Sequence, residues 1–216
     1  MTILNAKSFL IALLAVTTFS FSAQAVETPV ADEAAESNMM DELDPFDPGI
    51  EQKLEEMDAQ YRNETGESSH LPDLGLYFNV TNTGCYKLSC SVYIQVDKNS
   101  QKAYLYVMGQ LQAEWLVSTG TMGRGTPDFD THPNGRVYDA YTSKKFPGGD
   151  YNGLGNMPYA VFISGGFAIH GTGTGNWKKL GSRASHGCIR LHPDNALIFN
   201  RLVRQYGVRD TWITVQ

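Results

Sequence analysis

From residue 92 onward the chain is written in short apolar runs separated by turn residues, a pattern that sheet satisfies and long helices do not. Residues 92–96 (Val-Tyr-Ile-Gln-Val) and 103–107 (Ala-Tyr-Leu-Tyr-Val) are rich in β-branched and aromatic side chains, and the polar stretch 97–101 between them reads as a turn. Gly109 and Gln110 mark a second turn before residues 111–117, so this part predicts a meander of antiparallel hairpins. Residues 160–163 and 167–170 bracket Ser164, Gly165 and Gly166 as a further hairpin. Residues 193–203 carry a helical period with Pro193 tolerated in the first turn, and residues 210–215 close the chain as a strand. No internal repeat interrupts this order. The expected fold is mainly β, a small barrel or folded-over sheet with one substantial helix, and residues 76–216 suffice for a single core.

Charge divides the chain before that domain begins. Residues 26–67 hold 14 acidic against two basic side chains, a net of −12, whereas residues 68–216 hold 14 basic against nine acidic, a net of +5. The acidic stretch, with Glu27, Asp32, Glu33, Glu36, Asp41 and Glu42, reads as a largely disordered leader or spacer over residues 26–75. Within it Ile50, Leu54, Met57 and Tyr61 fall at helical spacing, which predicts one short amphipathic helix docking on the protein's own domain. The charge contrast adds the expectation that the leader shades the basic face. Ahead of it, Lys7, the apolar stretch 9–21 and the small residues Ala23 and Ala25 form a signal peptide over residues 1–25, an uncleaved anchor being the alternative. The apolar stretch is shorter than the roughly 20 residues a membrane-spanning helix needs. The expected mature chain starts at Val26 and is exported to the periplasm or cell envelope, without a transmembrane segment.

Export changes how the three cysteines are read. In an oxidising compartment Cys85 and Cys90 are candidates to pair as a local staple, unpaired thiols being the alternative. Cys188 stands alone, in Ser185-His186-Gly187-Cys188-Ile189-Arg190-Leu191, with Ile169-His170-Gly171-Thr172 upstream. A cysteine nucleophile needs a base to supply thiolate at neutral pH, commonly a spatially adjacent histidine. Gly187 leaves the backbone N–H groups beside the sulfur unshielded, and such donors stabilise an oxyanion when sulfur attacks a carbonyl. These residues point to acyl transfer. A buried structural cysteine is the bland alternative. The glycine tract 171–176 lacks the Gly-Lys-Ser/Thr ending of a phosphate cradle, so nucleotide is not expected there. It reads instead as the flexible start of a loop carrying Lys178, Lys179 and Arg183 towards Cys188, either as a solvated face or as a contact for an anionic substrate. A zinc site built from His170, His186, Cys188 and His192 is a rival, although the spacing matches no usual zinc pattern.

The chain resembles the YkuD-type L,D-transpeptidase family of bacterial cell-wall enzymes. The resemblance is carried by Val117-Ser118-Thr119-Gly120, residues 157–162 and 167–172, and residues 185–191, and it spans about residues 90–216. It implies a YkuD-like β-sandwich or barrel, with the helix following the catalytic cysteine. On matching positions it implies Cys188 as nucleophile and His170 as general base, oriented by the carbonyl of Gly171. Gly187 and Cys188 would supply oxyanion N–H groups, while Ser185, His186 and Arg190 would shape the pocket and meet substrate, Arg190 through a carboxylate. One element departs from the family pattern, in which Thr-Pro-x-Gly closely follows Ser-Thr-Gly. Here Thr126-Pro127 leads into Asp128-Phe129-Asp130, and Pro-x-Gly comes later, in Thr131-His132-Pro133-Asn134-Gly135, so either register is open.

The implied activity forms 3→3 cross-links between peptidoglycan stem peptides through a cysteine thioester. The implied partners are a tetrapeptide donor and a diaminopimelate amine acceptor, with no metal or organic cofactor, no nucleic acid, and a monomer as the default state. Carbapenems are expected to acylate Cys188. Water as acceptor would give an L,D-carboxypeptidase, an amine on a protein would give an anchoring or releasing enzyme, and a silent wall-binding domain is the non-enzymatic alternative.

Overall fold

In the computed structural model, residues 44–71, 84–140 and 150–216 are described; the expected signal peptide and residues 26–43 and 72–75 of the expected leader lie outside them. Strands β1 (Val92–Asp97), β2 (Lys102–Val107) and β3 (Gln110–Leu116) form an antiparallel meander, with Ile94 opposite Leu105 and a register shift between Leu105 and Tyr106. Strand β4 (Phe129–Thr131) and strand β8 (Thr211–Val215) extend this sheet to the order β3-β2-β1-β8-β4, in which β8 lies parallel to β1. Strands β5 (Val161–Ser164), β6 (Phe167–Gly171) and β7 (Ile189–Leu191) form a second sheet, antiparallel between β5 and β6 and parallel between β6 and β7. The main core joins Ile94, Val96, Ile169, Ile189, Leu191 and Ile213 from both sheets. Burying each such side chain contributes roughly 1.5–3 kcal/mol.

Among the described residues two α-helices accompany the sheets, α1 (Ile50–Thr65) and α2 (Pro193–Tyr206). Helix α2 starts immediately after β7, its first amides capped by His192, whose side chain accepts from the Asp194 N–H. It turns Ala196, Phe199 and Val203 onto the main core, three positions on one helical face. The fold is therefore mostly β, with its main helix following Cys188.

Helix α1 belongs to the acidic leader and buries Ile50, Leu54, Met57, Asp58 and Tyr61. Its apolar stripe joins Tyr138, Met157, Phe162, Ala168 and Cys188 in a second cluster. Asp58 on the same face accepts hydrogen bonds from the Ser69 and Tyr138 hydroxyls and, at 3.1 Å, from Arg136 Nε. Burial alone would raise the Asp58 pKa, but these donors more than offset it and hold the carboxyl below its ordinary range. Burial and the adjoining carboxylate push the Tyr138 hydroxyl upward, so it stays a neutral donor.

Strands β4 and β7 are absent from the sequence expectation. Each has three residues, too few to display an alternating period, and pairing with neighbours is what makes them strands. Cys85 and Cys90 are joined in a disulfide spanning a 3₁₀ turn at Lys87–Ser89, beside the start of β1. The tract expected to open a flexible loop is held in place: Trp177 Nε1 donates to Thr172 O at 3.0 Å within the 3₁₀ turn Thr174–Lys179. No helix among the described residues is long and apolar enough to cross a membrane.

Candidate active site

The parallel pairing of β6 and β7 brings the two expected catalytic residues together. His170 lies opposite Arg190 and Ile169 opposite Ile189. Continuing that register by one residue sets Cys188 beside Ala168. Side chains alternate along a strand, so Cys188 and His170 share a face as diagonal neighbours on adjacent strands. Their 18-residue separation in sequence is the length of the connection that a parallel pair requires.

His170 is buried, and its Nδ1 lies 2.7 Å from the carbonyl oxygen of Gly171. A carbonyl only accepts, so Nδ1 carries the hydrogen and Nε2 is the basic nitrogen. The Cys188 thiol, 1% exposed, donates at 3.5 Å to the carbonyl of Gly166, in the turn between β5 and β6. The arrangement offers a sulfur, an imidazole with a defined tautomer, and a floor of backbone on the side of the β5–β6 turn.

The loop ahead of Cys188 is held by hydrogen bonds that the sequence does not display. Ser185 Oγ donates to Cys188 O at 2.6 Å and accepts from the Gly187 N–H at 3.1 Å. Ser118 exchanges backbone hydrogen bonds with Arg190, and the Ala184 and Ser185 N–H groups both donate to Thr119 O. Gln101, buried at the end of the β1–β2 turn, receives the Thr119 N–H on Oε1 at 2.9 Å and donates through Nε2 to Thr119 Oγ1 at 2.6 Å. Gly187 has φ 125°, a conformation that disfavours any side chain, and a Cβ there would meet Phe46, Pro45 and Phe167 within 2.8–3.2 Å.

Several expected roles read differently in this geometry. The Gly187 N–H is engaged by Ser185 Oγ and holds the loop; to serve an oxyanion it has to change partner. Ser185 is fully buried, and its hydroxyl bonds within its own loop while its N–H reaches Thr119 O. Arg190 is 1% exposed and donates through Nη1 to Ala184 O at 2.9 Å, bracing the same loop from inside. His186 is half-buried and so retains a solvent-facing side. Of the basic residues in the 172–188 connection, Lys178 and Arg183 lie on the solvated surface, Arg183 donating to Lys98 O.

Thr126 decides between the two registers of the Thr-Pro element. Its hydroxyl accepts from the Gly120 N–H at 2.9 Å and donates to Gly187 O at 2.7 Å, tying the Ser-Thr-Gly segment to the cysteine loop. Residues 129–131 leave as β4 instead, and Asn134 lies against β5, its N–H donating to Phe162 O. Among the described residues, the grouping of metal-ligating atoms close enough to share an ion is Cys85, Cys90 and Asp210, and its two sulfurs are in the disulfide. His170, His186, Cys188 and His192 form no such group.

Sequence comparison falls on the same part of the molecule. A family model described as the L,D-transpeptidase catalytic domain YkuD matches residues 91–211, more than half of the chain. The chain belongs to the YkuD family. The matched span of this YkuD domain holds β1 to β7, α2 and the whole Cys188 loop; α1 and the segment before it lie outside. Similar solved structures include an L,D-transpeptidase from Mycobacterium smegmatis, with 22% identity, a TM-score of 0.45, and coverage of 59% of each chain. An L,D-transpeptidase from Mycobacterium tuberculosis H37Rv shows 18% identity and a TM-score of 0.47, over 59% of this chain and 58% of that one. The L,D-transpeptidase LdtMt1, solved in complex with imipenem, shows 21% identity and a TM-score of 0.48, over 59% of this chain and 60% of its own. The chain thus spans about three fifths of the length of these structures. No match was found among curated proteins.

Proposed function

We propose that the protein is an exported L,D-transpeptidase that joins peptidoglycan stem peptides through a thioester on Cys188. The observation that carries this reading is Cys188 diagonal to a His170 whose Nδ1 is fixed on Gly171 O, within a domain of the YkuD family. His170 Nε2 takes the thiol proton while sulfur attacks the carbonyl at the L-centre of diaminopimelate in a tetrapeptide stem. The S–C bond forms, the C–N bond to the terminal D-alanine breaks, and the proton passes to the departing amine. An amine from a second stem then attacks the thioester, gives up its proton to His170 and releases the thiol, which leaves a 3→3 cross-link. Oxyanion donors come from the backbone around Cys188, and removing one such donor typically costs about 3 kcal/mol of transition-state stabilisation. His186, with its solvent-facing side, meets the incoming stem.

The domain plan belongs to the same reading: a signal peptide over residues 1–25, an acidic leader over 26–75 and the catalytic domain over 76–216, acting in the periplasm or cell envelope as a monomer. The test is mass spectrometry of products from disaccharide-tetrapeptide muropeptide. Dimers lacking one D-alanine, absent with Cys188→Ala, are expected. Tripeptide alone reassigns the site to a carboxypeptidase with water as acceptor. No change in the muropeptide points to a protein-borne amine or to a silent wall-binding domain. Imipenem, present in the LdtMt1 complex, is expected to acylate Cys188 here.

A further inference from the structure

We propose that residues 44–46 of the acidic leader form a strap across the approach to Cys188, so that turnover requires the strap to lift, an inference that rests on Cys188 being the nucleophile. The strap contacts the site at both edges and across its middle. At one edge the Phe46 ring stands edge-on to Phe167, with centroids 5.2 Å apart. At the other, Asp44 Oδ2 is paired with Arg124 Nη1 at 2.9 Å, and Arg124 sits in the loop closed by the hydrogen bond of Gly120 to Thr126. Between them Pro45 and Phe46 lie over Gly187, with Pro45 Cγ 2.9 Å and Phe46 Cε2 2.8 Å from where a Cβ would stand. Pro45 Cα lies 2.8 Å from the corresponding point on Gly166, the residue whose carbonyl receives the Cys188 thiol.

Those two glycines offer bare backbone beside the sulfur, the surface a substrate carbonyl has to approach. The strap covers the Gly187 side of that surface and shares the Gly166 side with Ile50 of α1, and Cys188 is 1% exposed beneath the two. Its chemistry is that of a carboxylate-bearing peptide, the class the proposed reaction consumes. Asp44 therefore marks Arg124 as a cationic contact for which a stem carboxylate would compete.

The strap is attached so that it can lift without unfolding the domain. Pro45 is the one buried residue of the strap; Phe46 is 47% exposed, and the pair of Asp44 with Arg124 is open to solvent, a class worth about 0.2–1 kcal/mol. Helix α1, by contrast, is anchored by a fully buried Leu54 and by the hydrogen bonds to Asp58. The junction is Asp47, Pro48 and Gly49, where Asp47 Oδ1 accepts from the Gly49 N–H ahead of the first helical turn. An open fraction reached at this junction scales the apparent reactivity of the site.

The experiment compares the full chain with Phe46→Ala and Asp44→Asn variants, each with and without Cys188→Ala. Two probes are followed by intact mass: imipenem, which needs the catalytic machinery, and iodoacetamide, which needs only access to the thiol. Both variants are expected to react faster at Cys188 with both probes, by roughly two- to five-fold for Asp44→Asn and by more for Phe46→Ala. Raising the salt concentration is expected to speed the unmodified chain and leave Asp44→Asn unchanged. Thermal melts within a few degrees of the unmodified chain establish that the variants are folded. Equal iodoacetamide rates in all three chains, with labelling lost in Cys188→Ala, overturn the strap and leave the nucleophile standing. Faster iodoacetamide labelling with an imipenem adduct that persists in Cys188→Ala overturns the nucleophile reading, and the strap's catalytic meaning with it.

Discussion

At the residue scale the chemistry depends on atoms held by main chain. The Gly171 carbonyl fixes the His170 tautomer, and under the proposed function substitution at His170 removes the base. His170→Ala is expected to lower kcat by about 10²–10⁴-fold in a muropeptide assay. Gly187 is the opposite case, a residue with no side-chain chemistry whose absent side chain is essential. Gly187→Ala places a Cβ at φ 125° against Phe46, Pro45 and Phe167, and is expected to cost about 1–3 kcal/mol in urea unfolding. The sequence displayed the Ser-His-Gly-Cys run but not what Ser185 does. Its hydroxyl bridges Gly187 and Cys188 inside one loop, and a buried bridge of that kind has no periodic or compositional signature.

At the element scale, α1 behaves as part of the catalytic domain's core. Leu54→Ala deletes a fully buried side chain and is expected to destabilise by about 2–5 kcal/mol, read from urea unfolding. Asp58 adds a pH dependence whose sign follows from its depressed folded pKa. Its contribution is present above the unfolded carboxylate value and is lost as pH falls through the lower folded value. Melts between pH 6 and pH 2 are therefore expected to show an acid-limb loss that is smaller in Asp58→Ala, from a lower starting stability. The spacing of Ile50, Leu54, Met57 and Tyr61 was legible as a helical stripe. That Asp58 joins the same buried face was not, because its partners Ser69, Arg136 and Tyr138 come from other parts of the chain. The disulfide is a separate local device. Reducing Cys85 and Cys90, five residues apart, is expected to lower stability by about 2 kcal/mol and to leave imipenem acylation of Cys188 unchanged.

At the scale of the whole molecule, the acidic leader is not one thing. Residues 44–46 lie on the site, whereas 50–65 fill a core cluster that includes Cys188 itself. Deleting residues 26–67 would therefore strip α1 from Met157, Phe162 and Ala168, and the shortened chain is expected to melt well below the full one. A loss of turnover after such a deletion would report on the core, and point substitutions in the strap are what isolate the leader's effect on the site.

The sequence alone determined the hairpin meander and the α2 helix, because each is a local period bounded by turn residues, and it displayed the two motifs that carry His170 and Cys188, which the pairing of β6 with β7 then brings together. The expected strand at 92–96 became Val92–Asp97, and the helix expected at 193–203 became Pro193–Tyr206. Tertiary structure alone decided that β8 joins the sheet parallel to β1, that three residues after Cys188 become a strand, and that Thr126 is the residue touching the cysteine loop. It also turned Arg190 inward and laid Pro45 and Phe46 over Gly187. Apart from the Arg190 contact within its own loop, these join segments tens of residues apart, and all are set by which surfaces become buried together, which no pattern within any one segment encodes.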